Sequence, residues 1–152
     1  MHSIIVFAAA SLFIGMAPLA ISAGNEHPHH IGIATGVARH HNENSAYLGV
    51  DYVYRFKNDY AAGVFFENVS GDFDLRAYGL MFGKYFANGF KVAAGPGVEK
   101  KIKKDKTLLL FHLSGGYDWH VDRWSIGPVA TIDFIEDNSQ TYYLGFGVGY
   151  GF

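Results

Sequence analysis

Large apolar residues alternate with small or polar ones along most of this chain, and the last segment shows the pattern most clearly. Tyr142, Leu144, Phe146, Val148, Tyr150 and Phe152 fall on one face, and Tyr143, Gly145, Gly147, Gly149 and Gly151 on the other. A period of two is the repeat of a β-strand, whose successive side chains point to opposite sides. In a soluble sandwich the large residues would enter a core and the glycines would face water, where they only weaken the strand. In a barrel set in lipid the large residues face hydrocarbon, and the glycines make room in a narrow interior.

The same alternation recurs upstream. Ile31, Ile33, Thr35 and Val37 oppose Gly32, Ala34, Gly36 and Ala38, and Leu48, Val50, Tyr52, Tyr54 and Phe56 oppose Gly49, Asp51, Val53 and Arg55. Tyr60, Ala62, Val64 and Phe66 follow, then Tyr78, Leu80, Phe82 and Phe86, with Lys84 on the apolar side near a turn, where its stem can snorkel. Phe90, Val92, Ala94, Pro96 and Val98 make a further strand, with a local bulge expected at Pro96 because proline cannot donate to a ladder. Leu109, Phe111, Leu113, Tyr117 and Trp119, then Trp124, Ile126, Pro128, Ala130, Ile132 and Phe134, bring the count to about eight strands. Links near 57–59, 87–89 and 120–123 read as short; those near 39–46, 68–74, 100–106 and 135–141 read as longer and more polar. Such alternation is that of periplasmic turns and extracellular loops, and an even strand count puts both termini in the periplasm.

The N-terminus is set apart from this pattern. Residues 4–20 are an apolar run broken only by Ser11, Gly15 and Pro18, with small residues at Ala20, Ser22 and Ala23. This reads as a signal peptide over 1–23, although Met1-His2-Ser3 lacks the usual positive charge. Residues 24–30 then form a His-rich segment and 31–152 the barrel. No second apolar stretch reaches the ~20 residues of a membrane-spanning helix. Cysteine is absent, which removes disulfides, thiolate metal sites, a Cys nucleophile and a lipoprotein anchor. The formal charge of −2 leaves no nucleic-acid footprint, whereas 13 Phe, 10 Tyr and 19 Gly fit aromatic girdles outside and small residues inside.

The ending Gly147-Val148-Gly149-Tyr150-Gly151-Phe152 resembles the assembly signal of bacterial outer-membrane barrels, with Gly147, Tyr150 and Phe152 as its marks; it departs from that signal at Gly145, where a polar residue is usual. With the strand count, residues 30–152 resemble the small eight-stranded barrels typified by OmpX and the OmpA transmembrane domain. The resemblance implies an all-β, antiparallel up-and-down transmembrane barrel in the Gram-negative outer membrane. It also implies a monomer with lipid and lipopolysaccharide around it and the barrel-assembly machinery as a partner during biogenesis. It implies no cofactor and assigns no activity.

Candidate chemistry is sparse. Asp51, Arg55, Glu67, Lys91, Glu99, His112, Asp118 and Asp133 share inward faces, where side chains fill an eight-stranded lumen and buried charges must pair. A closed polar network is the preferred reading, and a narrow water path or pore the alternative. Lys100, Lys101, Lys103, Lys104 and Lys106 place five ammonium groups within seven residues, a counter-charge for lipopolysaccharide phosphates. His27, His29 and His30 are weak metal-ligand candidates. His40 and His41 lie roughly 30 Å further along a strand, too far to share an ion with them. His112-Leu113-Ser114 resembles the His-x-Ser element of barrel lipid A deacylases of the PagL type, in which His is the base for a Ser nucleophile. Gly115 stands where that family has Asn, and Asp118, Asp133 and Glu136 are open choices for the orienting carboxylate. Both residues face inward, so a structural or surface-interaction role is preferred over catalysis.

Overall fold

A computed structural model describes residues 27–71 and 73–152; the expected signal peptide lies outside the described residues. The strands are β1 (His29–His40), β2 (Glu43–Arg55), β3 (Tyr60–Ser70), β4 (Leu75–Tyr85), β5 (Phe90–Lys101), β6 (Lys106–Tyr117), β7 (Trp119–Val121), β8 (Trp124–Ile135) and β9 (Gln140–Gly151). β7 continues β6 past Asp118, and both pair with β8, so the nine segments make eight positions in the wall. Every neighbour is antiparallel and β1 pairs with β9, which closes the sheet. Closure matters in lipid because an open edge would leave backbone donors and acceptors with no water to satisfy them. Among the described residues no helix is long and apolar enough to cross a membrane.

The period of two sorts the side chains as expected. Ile33, Leu80, Leu109 and Leu144 point outward, and Leu144 is 68% exposed; Ala38, Val53, Ala77 and Val69 point into the lumen and are almost completely buried. An exterior this apolar suits hydrocarbon rather than water. Outward residues Leu48 to Phe56 cover roughly 27 Å of strand at ~3.4 Å per residue, the span of a tilted strand through a bilayer core. Inside, Ala38, Tyr47, Val69, Leu75 and Tyr143 form one apolar cluster, with Phe73 packed against it. A second cluster gathers Val53, Ala61, Phe65, Met81, Leu108, Leu110 and Ile135.

The two rims differ. The rim carrying His29 and Phe152 also holds the turns 56–59, 86–89 and 122–123 and is ringed by aromatic rings. Tyr60 stacks on Phe82 with centroids 5.6 Å apart, Phe90 meets Tyr117 at 5.0 Å, and Trp124 meets Tyr150 at 4.9 Å. Lys84 belongs to this girdle: its Nζ lies 5.1 Å from the Tyr60 ring and 5.5 Å from that of Phe86, the snorkelled position its place in the sequence suggests.

At the opposite rim the expected long loops do not occur. The links there are 41–42, 71–74, 102–105 and 136–139, as tight as those at the terminal rim. His41 and Asn42, with φ of 46° and 68°, make a two-residue hairpin of the kind that matches strand twist. The polar residues that suggested loops are instead paired in ladders: Arg39 with Asn44, Asn68 with Arg76, Lys100 with Thr107. Their exteriors are polar because the strands run on past the apolar band. The bulge expected at Pro96 is also absent. The register is unchanged from Gly79↔Gly97 to Phe82↔Ala94, and the β4–β5 ladder simply lapses between them. Pro128 is accommodated in the same way on its β6 side, while its β9 pairing continues. Close approach of neighbouring backbone enforces Gly95 in the first lapse, since a Cβ there would sit 2.0 Å from the Leu80 carbonyl oxygen.

Candidate functional site: a polar lumen in two charge groups

All eight charged or imidazole residues assigned to the inward faces do face the lumen, and the fold sorts them into two groups. Near the terminal rim Lys91 Nζ lies 2.9 Å from Asp118 Oδ2, and the Arg55 guanidinium sits 4.4 Å above the Tyr85 ring. Asp51 lines the same space, and Gly32 opposite it has no side chain because a Cβ would meet Asp51 Oδ1 at 2.5 Å. The two carboxylates and two cations of this group balance, which is how buried charge persists at all.

The second group is built on β3, β6, β8 and the end of β5. His112 Nδ1 lies 2.9 Å from Asp133 Oδ1, and the imidazole stacks on Phe65 with centroids 4.0 Å apart. Glu67 is buried beside them, such that one ligand-type atom from each of Glu67, His112 and Asp133 lies within 4.8 Å of the others. Glu99, fully buried, has Lys101 Nζ 3.8 Å from its Oε1, and the same ammonium lies 3.1 Å from Asp137 Oδ2. Among the described residues the lumen holds five carboxyl groups, Asp51, Glu67, Glu99, Asp118 and Asp133, against the cations Arg55, Lys91 and Lys101. The excess is concentrated at Glu67 and Asp133. A cavity of about 80 Å³ joins the two groups, lined among others by Asp51, Glu67, Lys91, His112, Ser114 and Thr131. At ~30 Å³ per water it has room for two or three waters beside polar partners.

Several lumen residues were missed in the sequence, and each carried a parity signal. Lys101 was assigned to the basic loop, yet it shares the odd positions of Lys91 and Glu99 on β5 and turns inward with them. His30 was assigned to a terminal tail but has the parity of Gly32 and Ala34; its Nε2 lies 3.2 Å from Ser125 Oγ inside the barrel. His29 points the other way, with Nδ1 2.7 Å from the Tyr52 hydroxyl, so these neighbours occupy opposite faces of one strand. β1 accordingly starts two residues before the expected boundary at 31. His40, at the far end of β1, lies with Nδ1 2.9 Å from Thr141 Oγ1.

Other assigned residues remain at the surface. Phe152, half exposed, and Tyr150 lie on the terminal rim, and Gly147 in the β1–β9 seam. In the basic hairpin Lys100 Nζ is 3.5 Å from Asp105 and Lys103 Nζ 3.8 Å from Asp74, while Lys104 and Lys106 are exposed. Across the rim, the Ser139 hydroxyl and then the Lys101 ammonium hold the Asp137 carboxyl well below the usual carboxylate range. Ser114 shares the inward face of His112, and of the three carboxylates considered for orienting that imidazole it is Asp133 that reaches it. With His112 only 3% exposed, the pair faces the lumen and not the lipid.

These features define a small, closed, eight-stranded antiparallel barrel with an apolar exterior and a polar lumen. Solved structures of similar fold are outer-membrane barrels, at low sequence identity. The N-terminal β-barrel domain of Pseudomonas aeruginosa OprF is similar over 81% of this chain and 97% of its own length, with a TM-score of 0.64 and 14% identity. Neisserial surface protein A is similar over 82% of this chain and 96% of its own, with a TM-score of 0.56 and 13% identity. Ail of Yersinia pestis, solved with the heparin analogue sucrose octasulfate, is similar over 82% and 96%, with a TM-score of 0.52 and 15% identity. No protein-family model matches the chain, and no curated protein matches its sequence.

Proposed function

We propose that this chain is an integral outer-membrane barrel with a plugged, non-conducting lumen, both termini in the periplasm, and a role exercised through its outer rim rather than by catalysis. The contrast between the two rims carries this reading. The terminal rim ends abruptly in aromatic rings, whereas the opposite rim, with turns equally tight, projects paired strands with polar exteriors such as Arg39, Asn44, Arg76 and Lys100 beyond the apolar band. The apolar cluster around Val69 and Leu75 supports a closed lumen at that rim.

The basic hairpin is the part of the outer rim best suited to an anionic surface. Lys104 and Lys106 are exposed, and the ion pairs of Lys100 and Lys103 are solvent-facing contacts worth ~0–1 kcal/mol, which phosphate can displace. Lipopolysaccharide phosphates surround any barrel at this height. Ail supports the idea that such a fold can present a site for a polyanion.

Because the chain contains no cysteine, single introduced thiols report orientation cleanly. In intact cells a membrane-impermeant maleimide should label Lys104→Cys, and should label Asn58→Cys only after the outer membrane is permeabilised. The reverse pattern would overturn the orientation. With purified barrel, Lys104→Glu with Lys106→Glu should weaken lipopolysaccharide binding, most visibly at low salt.

A further inference from the structure

We propose that Glu67, His112 and Asp133 form a binding site for a first-row divalent cation, Zn²⁺ being the probe of choice, inside the barrel. Glu67 stands on β3, His112 on β6 and Asp133 on β8. An ion held by all three would therefore tie the β6–β8 ladder to β3, which is not hydrogen-bonded to either strand.

Four observations converge here. One ligand-type atom from each residue lies within 4.8 Å of the others. Ligands at about 2.0–2.2 Å from zinc stand about 3.4 Å from one another, so the side chains need to draw in by at most about 1.4 Å. Secondly, Glu67 Oε2 and Asp133 Oδ2 make no hydrogen bond of normal geometry among the described residues, their carboxyl groups facing each other and the Tyr143 hydroxyl with no cation between them, although Glu67 is 6% exposed and Asp133 fully buried. An unpartnered carboxylate oxygen in such a place is costly, and a cation removes the cost. Thirdly, the ion pairs of Lys91 and Lys101 run to Asp118, and to Glu99 and Asp137, so neither ammonium compensates Glu67 or Asp133. Lastly, the 80 Å³ cavity touches both Glu67 and His112 and offers room for the water that completes a coordination shell. Imidazole with two carboxylates suits zinc and its first-row neighbours better than calcium or magnesium, which prefer oxygen alone.

The apolar cluster at one rim and the Lys91–Asp118 group at the other enclose the site, so an ion should be captured as the barrel closes. The experiment is to refold the full mature chain in detergent with Zn²⁺ and without it, remove free metal on a desalting column, and measure bound zinc by mass spectrometry. The expected result is one zinc per barrel when the metal is present during folding, with much slower uptake when it is added afterwards. Glu67→Gln and His112→Gln, each nearly the size of what it replaces, should lower affinity at least tenfold while retaining heat-modifiable gel mobility as proof of folding. His41→Ala and His27→Ala are controls for adventitious binding at surface imidazoles and should leave the stoichiometry unchanged. Cobalt(II) provides a second readout, since its visible spectrum reports nitrogen and oxygen ligation directly and should vanish in the His112 variant. Absence of bound metal after refolding, or zinc retained in the Glu67 and His112 variants but lost in the surface controls, would overturn the proposal.

Discussion

His29 and Phe152 lock the two ends of the described chain to each other. Each donates its backbone N–H to the other's carbonyl, at 3.1 and 2.8 Å, and their rings stack with centroids 5.5 Å apart. The terminal phenylalanine is thus part of the seam between the first and last strands as well as of the motif that resembles an assembly signal. The pairing of β1 with β9 is the contact of highest sequence separation in the barrel, and a seam of that kind closes late because its loop entropy is largest.

Deleting Phe152 should therefore act twice, by weakening recognition and by removing one pair of bonds from the seam. Phe152→Leu separates the effects, because it keeps the backbone pair and a large apolar side chain while losing the ring. Both variants are expected to reduce the heat-modifiable, folded form in outer-membrane fractions, the deletion more severely. Refolding of the purified chain in detergent should be nearly normal for Phe152→Leu and slowed for the deletion. Equal refolding defects would mean that the ring acts in the fold and not in recognition.

The Lys91–Asp118 pair should make the lumen tight as well as stable. Removing Lys91 would strand Asp118 at 5% exposure, whereas removing Asp118 leaves Lys91, 26% exposed, without its ion pair, at a smaller cost of about 1–3 kcal/mol. Asp118→Asn is expected to lower the temperature at which the compact gel species is lost, and Lys91→Met with Asp118→Leu to recover much of that loss. In planar bilayers the wild-type barrel should give no steady conductance, because charge pairs and the cluster around Leu75 fill its interior. Regular ion-selective steps that change with Lys91 would mean a continuous water path.

How far this interior was legible in the sequence depends on which geometry is asked for. Facing was legible wherever a strand was recognised, because a period of two leaves each strand only two choices and a row of large residues settles them; His30 and Lys101 escaped because they read as tail and loop. Cross-strand neighbours on a tight hairpin were also within reach. The two-residue turn at 122–123 fixes the register that sets His112 opposite Asp133. Contacts across the lumen were not, since the approach of Glu67 on β3 to that pair depends on strand tilt and stagger around the whole barrel. Link lengths misled for a different reason. Arg39, Asn44, Asn68 and Arg76 are polar because their strands leave the lipid, and polarity alone does not tell a loop from a solvated ladder.

Asp137 gives the outer rim a pH dependence whose sign is fixed. Its folded carboxyl titrates below the ordinary aspartate range, held there by Ser139 and Lys101, so its contribution is complete above the unfolded value of about 3.9 and is lost as pH falls below it. The stability difference between wild type and Asp137→Asn should stay constant from neutral pH to about pH 5 and shrink at lower pH. Thermal unfolding of the two proteins in the same detergent at several pH values is the measurement. A difference that grew on acidification would mean that Asp137 is not held ionised by these partners.

The last prediction concerns catalysis, for which Ser114, His112 and Asp133 provide the residue types of a nucleophile, a base and an orienting carboxylate. Geometry argues against the reaction. His112 is buried in the lumen with one nitrogen already engaged by Asp133, and Ser114 opens onto a cavity of about 80 Å³, far too small for an acyl chain that would have to arrive from the lipid through the wall. A working acyl hydrolase needs its nucleophile within reach of the ester, about 3–3.5 Å, which no lipid outside a closed sheet achieves. Lipid A from cells with and without the protein should therefore have the same acyl pattern by mass spectrometry, and Ser114→Ala should leave it unchanged. A species lacking one acyl chain that disappears with Ser114→Ala and with His112→Gln would establish catalysis, and would require the wall between β6 and β8 to open where the ladder lapses beside Pro128.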